Sequence, residues 1–131
     1  MVTSLAQKLQ LKAAQRLRVL NAPPGYVERL GQELPGINLV AGGTGSTDAV
    51  LLFVNSLAEA QRLAPDAIGA VETNGLLWMA YPKGTSKVKT DVNRDRLWEA
   101  IKPLGWLAIR QIALDEVWSA LRFRPAELVG K

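Results

Sequence analysis

Gly75-Leu-Leu-Trp-Met-Ala-Tyr-Pro82 is the strongest fold signal in the sequence, and the other predicted elements are arranged around it. Its six consecutive apolar or aromatic residues, 76–81, are too few for a membrane-spanning helix and fit a strand that is covered on both faces. In α/β proteins such strands lie in the middle of a parallel sheet. We therefore expect a central strand here, and ligands usually bind at the edge where such strands end.

The loop after this strand has the composition of an anion-binding segment. Its sequence is Lys83-Gly-Thr-Ser-Lys-Val-Lys89, in which glycine permits close backbone approach, two hydroxyls can donate and three lysines supply charge. Arg94 and Arg96 follow at a predicted helix start, and Asn21 and Asn55 end two other predicted strands at the same edge. The sequence therefore predicts a small-anion site that consists of Asn21, Gly25, Tyr26, Asn55, Lys83, Gly84, Thr85, Ser86, Lys87, Lys89, Arg94 and Arg96. The alternative interpretation is a solvated surface loop.

Length and composition indicate one domain that covers residues 1–131. A chain of 131 residues, of which 48% are apolar, can bury a single core. None of the apolar stretches approaches the ~20 residues of a membrane span, and the amino terminus is polar from its third residue. We expect a cytoplasmic protein of bacterial type without membrane contact.

The chain contains neither cysteine nor histidine. These absences exclude disulfides, thiol nucleophiles, most zinc, copper and haem sites, and the Ser-His-Asp and Cys-His catalytic arrangements. The Asp and Glu residues show no EF-hand spacing. The sequence therefore assigns no catalytic residue, no metal ligand and no cofactor, and an enzyme would depend on carboxylates, lysine or tyrosine.

The net charge of +4 lies entirely in the second part of the chain. Residues 81–131 hold ten Lys and Arg against six Asp and Glu, whereas residues 1–80 hold six of each. This balance favours an anionic partner near the loop at 83–89. The four tryptophans follow apolar patterns that favour core packing over stacking on nucleic acid, which is therefore not the favoured partner: Trp78, Trp98, Trp106 and Trp118.

Local signals predict alternating helices and strands before the central strand. A short helix to about Lys12 precedes expected strands at 16–21, 37–41 and 48–54, and a helical turn at 26–30 ends at Gly31. Ser56 and Glu59 form a capping-box pattern that opens a helix. Pro65 is expected to interrupt this helix and to begin a new one that closes at Asn74-Gly75.

The chain after the loop predicts one helix and a hairpin. Asp91 or Asn93 can cap a helix whose Leu97, Trp98 and Ile101 face inward. Strands at 106–114 and 117–124 are joined by Asp115-Glu116, two acids expected in solvent, and so short a link requires antiparallel pairing. The predicted fold is α/β, a three-layer Rossmann-like sandwich of about six strands. The sheet is mostly parallel, with the antiparallel C-terminal hairpin strand beside the central one.

This order of elements resembles a shortened S-adenosylmethionine-dependent methyltransferase, whose sheet also ends in a strand, a helix and a β-hairpin. A narrower resemblance, to a bacterial family of domains of unknown function, lies in residues 77–91, 93–95 and 118–125 and in Asn21-Ala-Pro-Pro-Gly-Tyr26. The methyltransferase resemblance implies a Gly-rich cofactor loop after the first strand and an acidic residue after the second. Those places hold Asn21-Ala-Pro-Pro-Gly25 and Gly42-Gly43, where prolines lack N–H donors and glycine has no side-chain acceptor.

Three functional hypotheses follow. The favoured one is a non-catalytic binding or regulatory domain with a small-anion site at the carboxyl edge of the sheet. The alternative is a divergent S-adenosylmethionine-dependent methyltransferase. The third is an interaction module that uses its basic face or its hairpin, on which Arg110, Arg122 and Arg124 are expected to alternate outward, with a homodimer as one form of assembly.

Overall fold

Six strands form one mixed sheet in the computed structural model, which describes residues 5–12, 15–41, 45–83 and 90–128. The strands are β1 Arg16–Leu20, β2 Asn38–Ala41, β3 Thr47–Phe53, β4 Val71–Pro82, β5 Trp106–Ala113 and β6 Trp118–Pro125. Their order is β2-β1-β3-β4-β6-β5, in which the first four are parallel and β6 is antiparallel to both of its neighbours. The predicted fold class is confirmed, and the stretch at 76–81 lies inside the central strand β4.

Within the described ranges, four α-helices cover the two faces of this sheet: α1 Leu5–Lys8, α2 Tyr26–Glu33, α3 Leu57–Ala70 and α4 Arg94–Ile101. Alternate residues of the strands point to opposite faces. Trp78 and Ala80 of β4 pack with α1 and α2, whereas Leu77 and Met79 pack with α3 and α4. Both faces of β4 are therefore buried, which is why its sequence is continuously apolar.

Helix α3 corrects the prediction of two helices separated at Pro65. It runs without interruption from Leu57 to Ala70, with Pro65 inside it. Proline removes one i to i−4 hydrogen bond, but Ala60, Ala64 and Ala67 are fully buried against the sheet and hold the helix in place. The chain then enters β4 directly at Val71, so Asn74 and Gly75 belong to the strand and do not close a helix.

The predicted ends of two helices and the predicted burial of one tryptophan are also wrong. Helix α1 ends at Lys8, and α2 continues past Gly31 to Glu33 because Leu30 and Leu34 are both buried. Trp98 of α4 is 37% exposed, whereas its neighbour Leu97 and the later Ile101 are fully buried. An inward face on α4 holds residues three to four apart, and Trp98 lies next to that stripe.

Across the described ranges, none of the helices combines the length and the apolar character that crossing a membrane would require.

Candidate functional site

The carboxyl ends of three parallel strands and one turn meet at one edge of the sheet. Strands β1, β3 and β4 end there, and Trp118, which begins β6, pairs with Pro82. Thr90 reaches this edge as well, because its hydroxyl donates to the Asn55 carbonyl at 2.6 Å. Asn21, Asn55 and Lys83 thus share one rim, and Trp78 beneath it has no solvent exposure.

Asn21 and Asn55 meet on the carboxylate of Glu59, in the first turn of α3. Asn21 Nδ2 donates to Glu59 Oε1 at 2.7 Å and to the Phe53 carbonyl at 2.8 Å. Asn55 donates to the same carboxylate oxygen from its backbone N–H at 2.9 Å and from Nδ2 at 3.3 Å. These bonds lie between β1 and β3, where the strand order reverses and α/β proteins usually bind ligands. The polar groups of this crevice are therefore already hydrogen-bonded to side chains of the protein itself.

Glu59 was absent from the predicted site, although its capping-box spacing could have drawn attention to it. The Ser56 hydroxyl accepts from the Glu59 N–H at 3.1 Å, as that pattern predicts. Because the spacing also places Glu59 in the first turn of α3, its carboxylate faces the rim.

Gly25 and Tyr26 lie at the start of α2 and have a structural role. Gly25 has φ +79°, a left-handed conformation that favours glycine. The Tyr26 ring packs edge-on against Phe53 with centroids 4.8 Å apart, and its hydroxyl donates to Asp115 Oδ2 at 2.8 Å. Burial and the Asp115 contact raise the pKa of Tyr26, so the hydroxyl stays protonated and continues to donate.

Asp115 corrects the prediction of a solvated acid. Its side chain is only 8% exposed, and besides Tyr26 it accepts from the N–H groups of Val117 and Trp118, both at 2.7 Å, and from Arg29 at 3.1 Å. Burial would raise the pKa of Asp115, but these hydrogen bonds and the Arg29 charge outweigh it and hold that pKa below its ordinary value. Asp115 therefore ties the hairpin turn to α2.

A polar cavity of about 380 Å³ opens beside Lys83 on the face that α3 and α4 cover. Tyr81 forms its inner wall, and its hydroxyl accepts from Gln111 Nε2 at 2.8 Å and hydrogen-bonds Ser119. Burial raises the pKa of Tyr81, against the lowering effects of Arg94 and of the Ser119 hydrogen bond. The lining is Tyr81, Lys83, Asn93, Arg94, Asp95, Gln111 and Ser119. Two cations and several neutral donors surround this space, a combination that suits an oxyanion.

Arg94 and Arg96 point to different places, although the sequence placed them in one site. Arg94 lines the polar cavity and pairs with Asp95 at 3.2 Å. Arg96 lies against a separate depression with Leu57 and Gln61, and its Nη1 donates to the Asp91 carbonyl at 3.3 Å. The cause is the cap of α4: Asn93 Oδ1 accepts from the Arg96 N–H at 2.8 Å, and the helix then turns the two side chains apart.

Lys83 also borders a second depression, of about 410 Å³, on the opposite face of the sheet. Lys8 and Arg29 line it together with the hairpin turn at 113–117. The predicted positions that lie outside the described residues are Gly42, Gly43, Gly84, Thr85, Ser86, Lys87 and Lys89. The remaining predicted residues divide among four places: the Glu59 crevice, the Tyr26–Asp115 contact, the polar cavity and, for Arg96, the separate depression beside Leu57.

Sequence reasoning missed Tyr81, Gln111 and Ser119 because all three belong to strands that were assigned to the core. Their meeting depends on the pairing of Tyr81 with Ser119 across β4 and β6, a register that no local pattern reveals. The described residues contain no group of three or more Asp and Glu side chains placed to hold a metal ion.

No protein-family model matches the chain, and no curated protein matches it in sequence. Solved structures do match. An O-methyltransferase family 2 protein from Planctomyces limnophilus, in complex with apigenin, has a TM-score of 0.63 at 11% identity, over 95% of this chain and 54% of that one. Aeropyrum pernix fibrillarin with bound S-adenosyl-L-methionine has a TM-score of 0.53 at 12% identity, over 86% of this chain and 67% of that one.

A tRNA methyltransferase from B. subtilis has a TM-score of 0.56 at 9% identity, over 93% of this chain and 67% of its own. This chain is therefore shorter than each of these three proteins, and it spans about half the length of the O-methyltransferase. Identities this low carry information about the fold alone. The chain has the Rossmann-like fold that S-adenosylmethionine-dependent methyltransferases share.

Proposed function

We propose that the protein binds a small anionic molecule in the polar cavity beside Lys83 and catalyses no reaction on it. The observation that carries this proposal is the convergence of Lys83 and Arg94 with the hydroxyls of Tyr81 and Ser119 around one opening. The cavity lies at the carboxyl edge of the sheet, where open α/β folds hold their ligands. Asn93 also places the amino end of α4 beside it, which favours negative charge.

Charge and protonation support binding over catalysis. The cavity is lined by two cations and one carboxylate, so an added anion improves the balance. The raised pKa of Tyr81 keeps its hydroxyl protonated at neutral pH, which makes it a hydrogen-bond donor and a poor general base.

Calorimetric titration with a panel of phosphate, citrate and ATP tests this function. We expect Arg94→Gln and Lys83→Gln each to lower the affinity for the anion about tenfold, since each removes a charge-assisted hydrogen bond worth more than about 1.4 kcal/mol. Arg62→Gln, an exposed site on α3, is the matched control and should leave the affinity unchanged. Arg96→Gln tests whether Arg94 and Arg96 belong to one site, because the affinity for the anion should fall in this variant only if the site includes both arginines. Equal affinity in all four variants would refute the proposal.

A second candidate is a divergent S-adenosylmethionine-dependent methyltransferase, and the structural comparisons favour it over the first. Its cofactor would enter the crevice between β1 and β3. Asn21 would then have to release the Phe53 carbonyl, and Pro23 and Pro24 would offer no N–H donors. Titration with S-adenosylmethionine and its demethylated product tests this candidate. A heat of binding that disappears in Glu59→Gln supports the methyltransferase candidate. The absence of heat with both molecules excludes it.

A further inference from the structure

Three arginines lie together on the face of the sheet that α1 and α2 cover, away from the carboxyl rim. Arg110 of β5 pairs directly with Arg122 of β6, and Arg124, two residues further along β6, pairs with Leu107. Residues directly opposite each other share a face, as do residues two apart on one strand. Because Ala120 belongs to the core on the α1 and α2 side, Arg122 and Arg124 project to that side as well. We call these three residues the arginine cluster.

The arginine cluster has no carboxylate partner in the part of the chain that the structure describes. The ion pairs found there involve Arg16, Arg29 and Arg94, and none includes Arg110, Arg122 or Arg124. Arg122 donates to the amide oxygen of Gln10, a neutral group. Like charges directly opposite each other on neighbouring strands are destabilising, so this pairing carries a cost that nothing in the described structure offsets.

Burial makes the position of Arg122 more costly still. Its Nε is enclosed and has no hydrogen-bond partner within the described ranges. Burial, then the positive charges of Arg124 and Arg110, lower the pKa of Arg122. A buried donor without a partner is rare in folded proteins, and it adds to the energetic cost of placing Arg122 beside Arg110.

We propose that the arginine cluster is a binding site for a phosphate monoester, separate from the cavity at the carboxyl edge. Guanidinium groups match the tetrahedral oxygens of phosphate with pairs of parallel N–H bonds, and Arg110, which is exposed, can present such a pair. A monoester near neutral pH carries almost two negative charges, which suits three cations better than the single charge of a diester. The phosphate would stand between Arg110 and Arg122 and remove their repulsion.

The test is thermal unfolding of the whole protein in buffers of equal ionic strength, with chloride alone or with inorganic phosphate or O-phosphoserine. Arg110→Gln should raise Tm in chloride, because it removes the like-charge pair, and should reduce the rise in Tm that phosphate produces. Arg122→Lys keeps the charge but loses the planar fork. We expect it to weaken phosphate binding about tenfold, the equivalent of one charge-assisted hydrogen bond.

Three results would overturn the proposal. The first is an Arg110→Gln variant with lower Tm in chloride, which indicates that Arg110 is a structural residue. The second is an equal phosphate effect in wild type, Arg110→Gln and Arg122→Lys, as general ion exclusion would give. The third is a protein whose Tm does not respond to inorganic phosphate or to O-phosphoserine, but which binds an oligonucleotide without terminal phosphates in a way that depends on Arg122. Combining Arg110→Gln with Arg94→Gln separates the two sites: the loss of phosphate response that Arg110→Gln causes should be the same with and without the change at Arg94, so the two proposals fail separately.

Discussion

At the scale of single residues, Asp115 shows how much a turn residue can contribute. Acids at hairpin turns are ordinarily solvated, yet this one receives hydrogen bonds from two backbone N–H groups, a phenol and a guanidinium. Two of these donors, Tyr26 and Arg29, come from α2, far away in sequence. The residue type and the tight turn were predictable, but the partners were not, because only the folded chain brings α2 over the hairpin.

Asp115→Asn should lower the free energy of unfolding by about 2 kcal/mol, since it replaces a charged acceptor and turns one oxygen into a donor that faces other donors. The folded pKa of Asp115 lies below its ordinary value. Its contribution is therefore present above the unfolded pKa and disappears as pH falls through the folded pKa. Urea unfolding between about pH 7 and about pH 3 should show a flatter pH dependence in the variant than in wild type.

Glu116→Gln is the matched control, because its side chain is exposed and the substitution is of the same kind. It should change stability by less than about 0.5 kcal/mol. Equal pH dependence in wild type and Asp115→Asn would show that Asp115 is not ionised in these contacts.

At the scale of elements, β4 begins earlier than its apolar stretch suggests. Thr47 pairs with Val71 and Ala49 with Leu76. The chain therefore advances by five residues along β4 while it advances by two along β3. Gly75 lies in this irregular part, where a Cβ would come within 2.7 Å of the Asp48 carbonyl oxygen and 2.8 Å of that of Glu72. The Asn74-Gly75 pair resembles a helix stop in sequence, but here the glycine permits close approach of two backbones.

The same substitution at two glycines tests this assignment. Gly75→Ala should destabilise the protein by about 1–3 kcal/mol, because backbone atoms cannot move aside as a flexible side chain could. Gly69→Ala should stabilise it by up to about 1 kcal/mol, since Gly69 lies in α3 and its Cβ would meet nothing within 4 Å. Guanidinium unfolding measures both, and effects of the same sign would contradict this account of β4.

At the scale of the whole molecule, the segment at 5–12 completes one of the three layers. Leu9 is fully buried, and its carbonyl accepts from Trp78 Nε1 at 3.1 Å, so this segment rests on the central strand. Helix α1 has only four residues and would not form alone, so its packing must stabilise it. The amino-terminal segment is therefore part of the cooperative unit.

Leu9→Ala should lower the free energy of unfolding by about 3 kcal/mol, because it leaves a cavity over Trp78. Leu104→Ala is the matched control: this residue is 43% exposed and should cost far less. Circular dichroism and tryptophan fluorescence should report one coincident transition for each variant. A Leu9→Ala protein as stable as wild type would show that the segment folds independently of the sheet.

Sequence patterns were enough to predict the layered α/β class, the central strand, the antiparallel hairpin strand and the cap at Ser56, and they offered Asn93 as one of two candidate caps for α4. These features depend on residue patterns within one element, and the energies that select them are local. The sequence also identified the carboxyl edge as the place for Asn21, Asn55 and Lys83, since the ends of parallel strands must meet there.

Which of these side chains meet depends on how the folded chain packs. Glu59 joins Asn21 to Asn55, Asn93 turns Arg94 away from Arg96, and strand register places Arg110 opposite Arg122. Packing against the sheet likewise allows α3 to continue through Pro65. Contacts between distant elements depend on register and burial, and those follow from the energy of the whole core, which no single stretch of sequence contains.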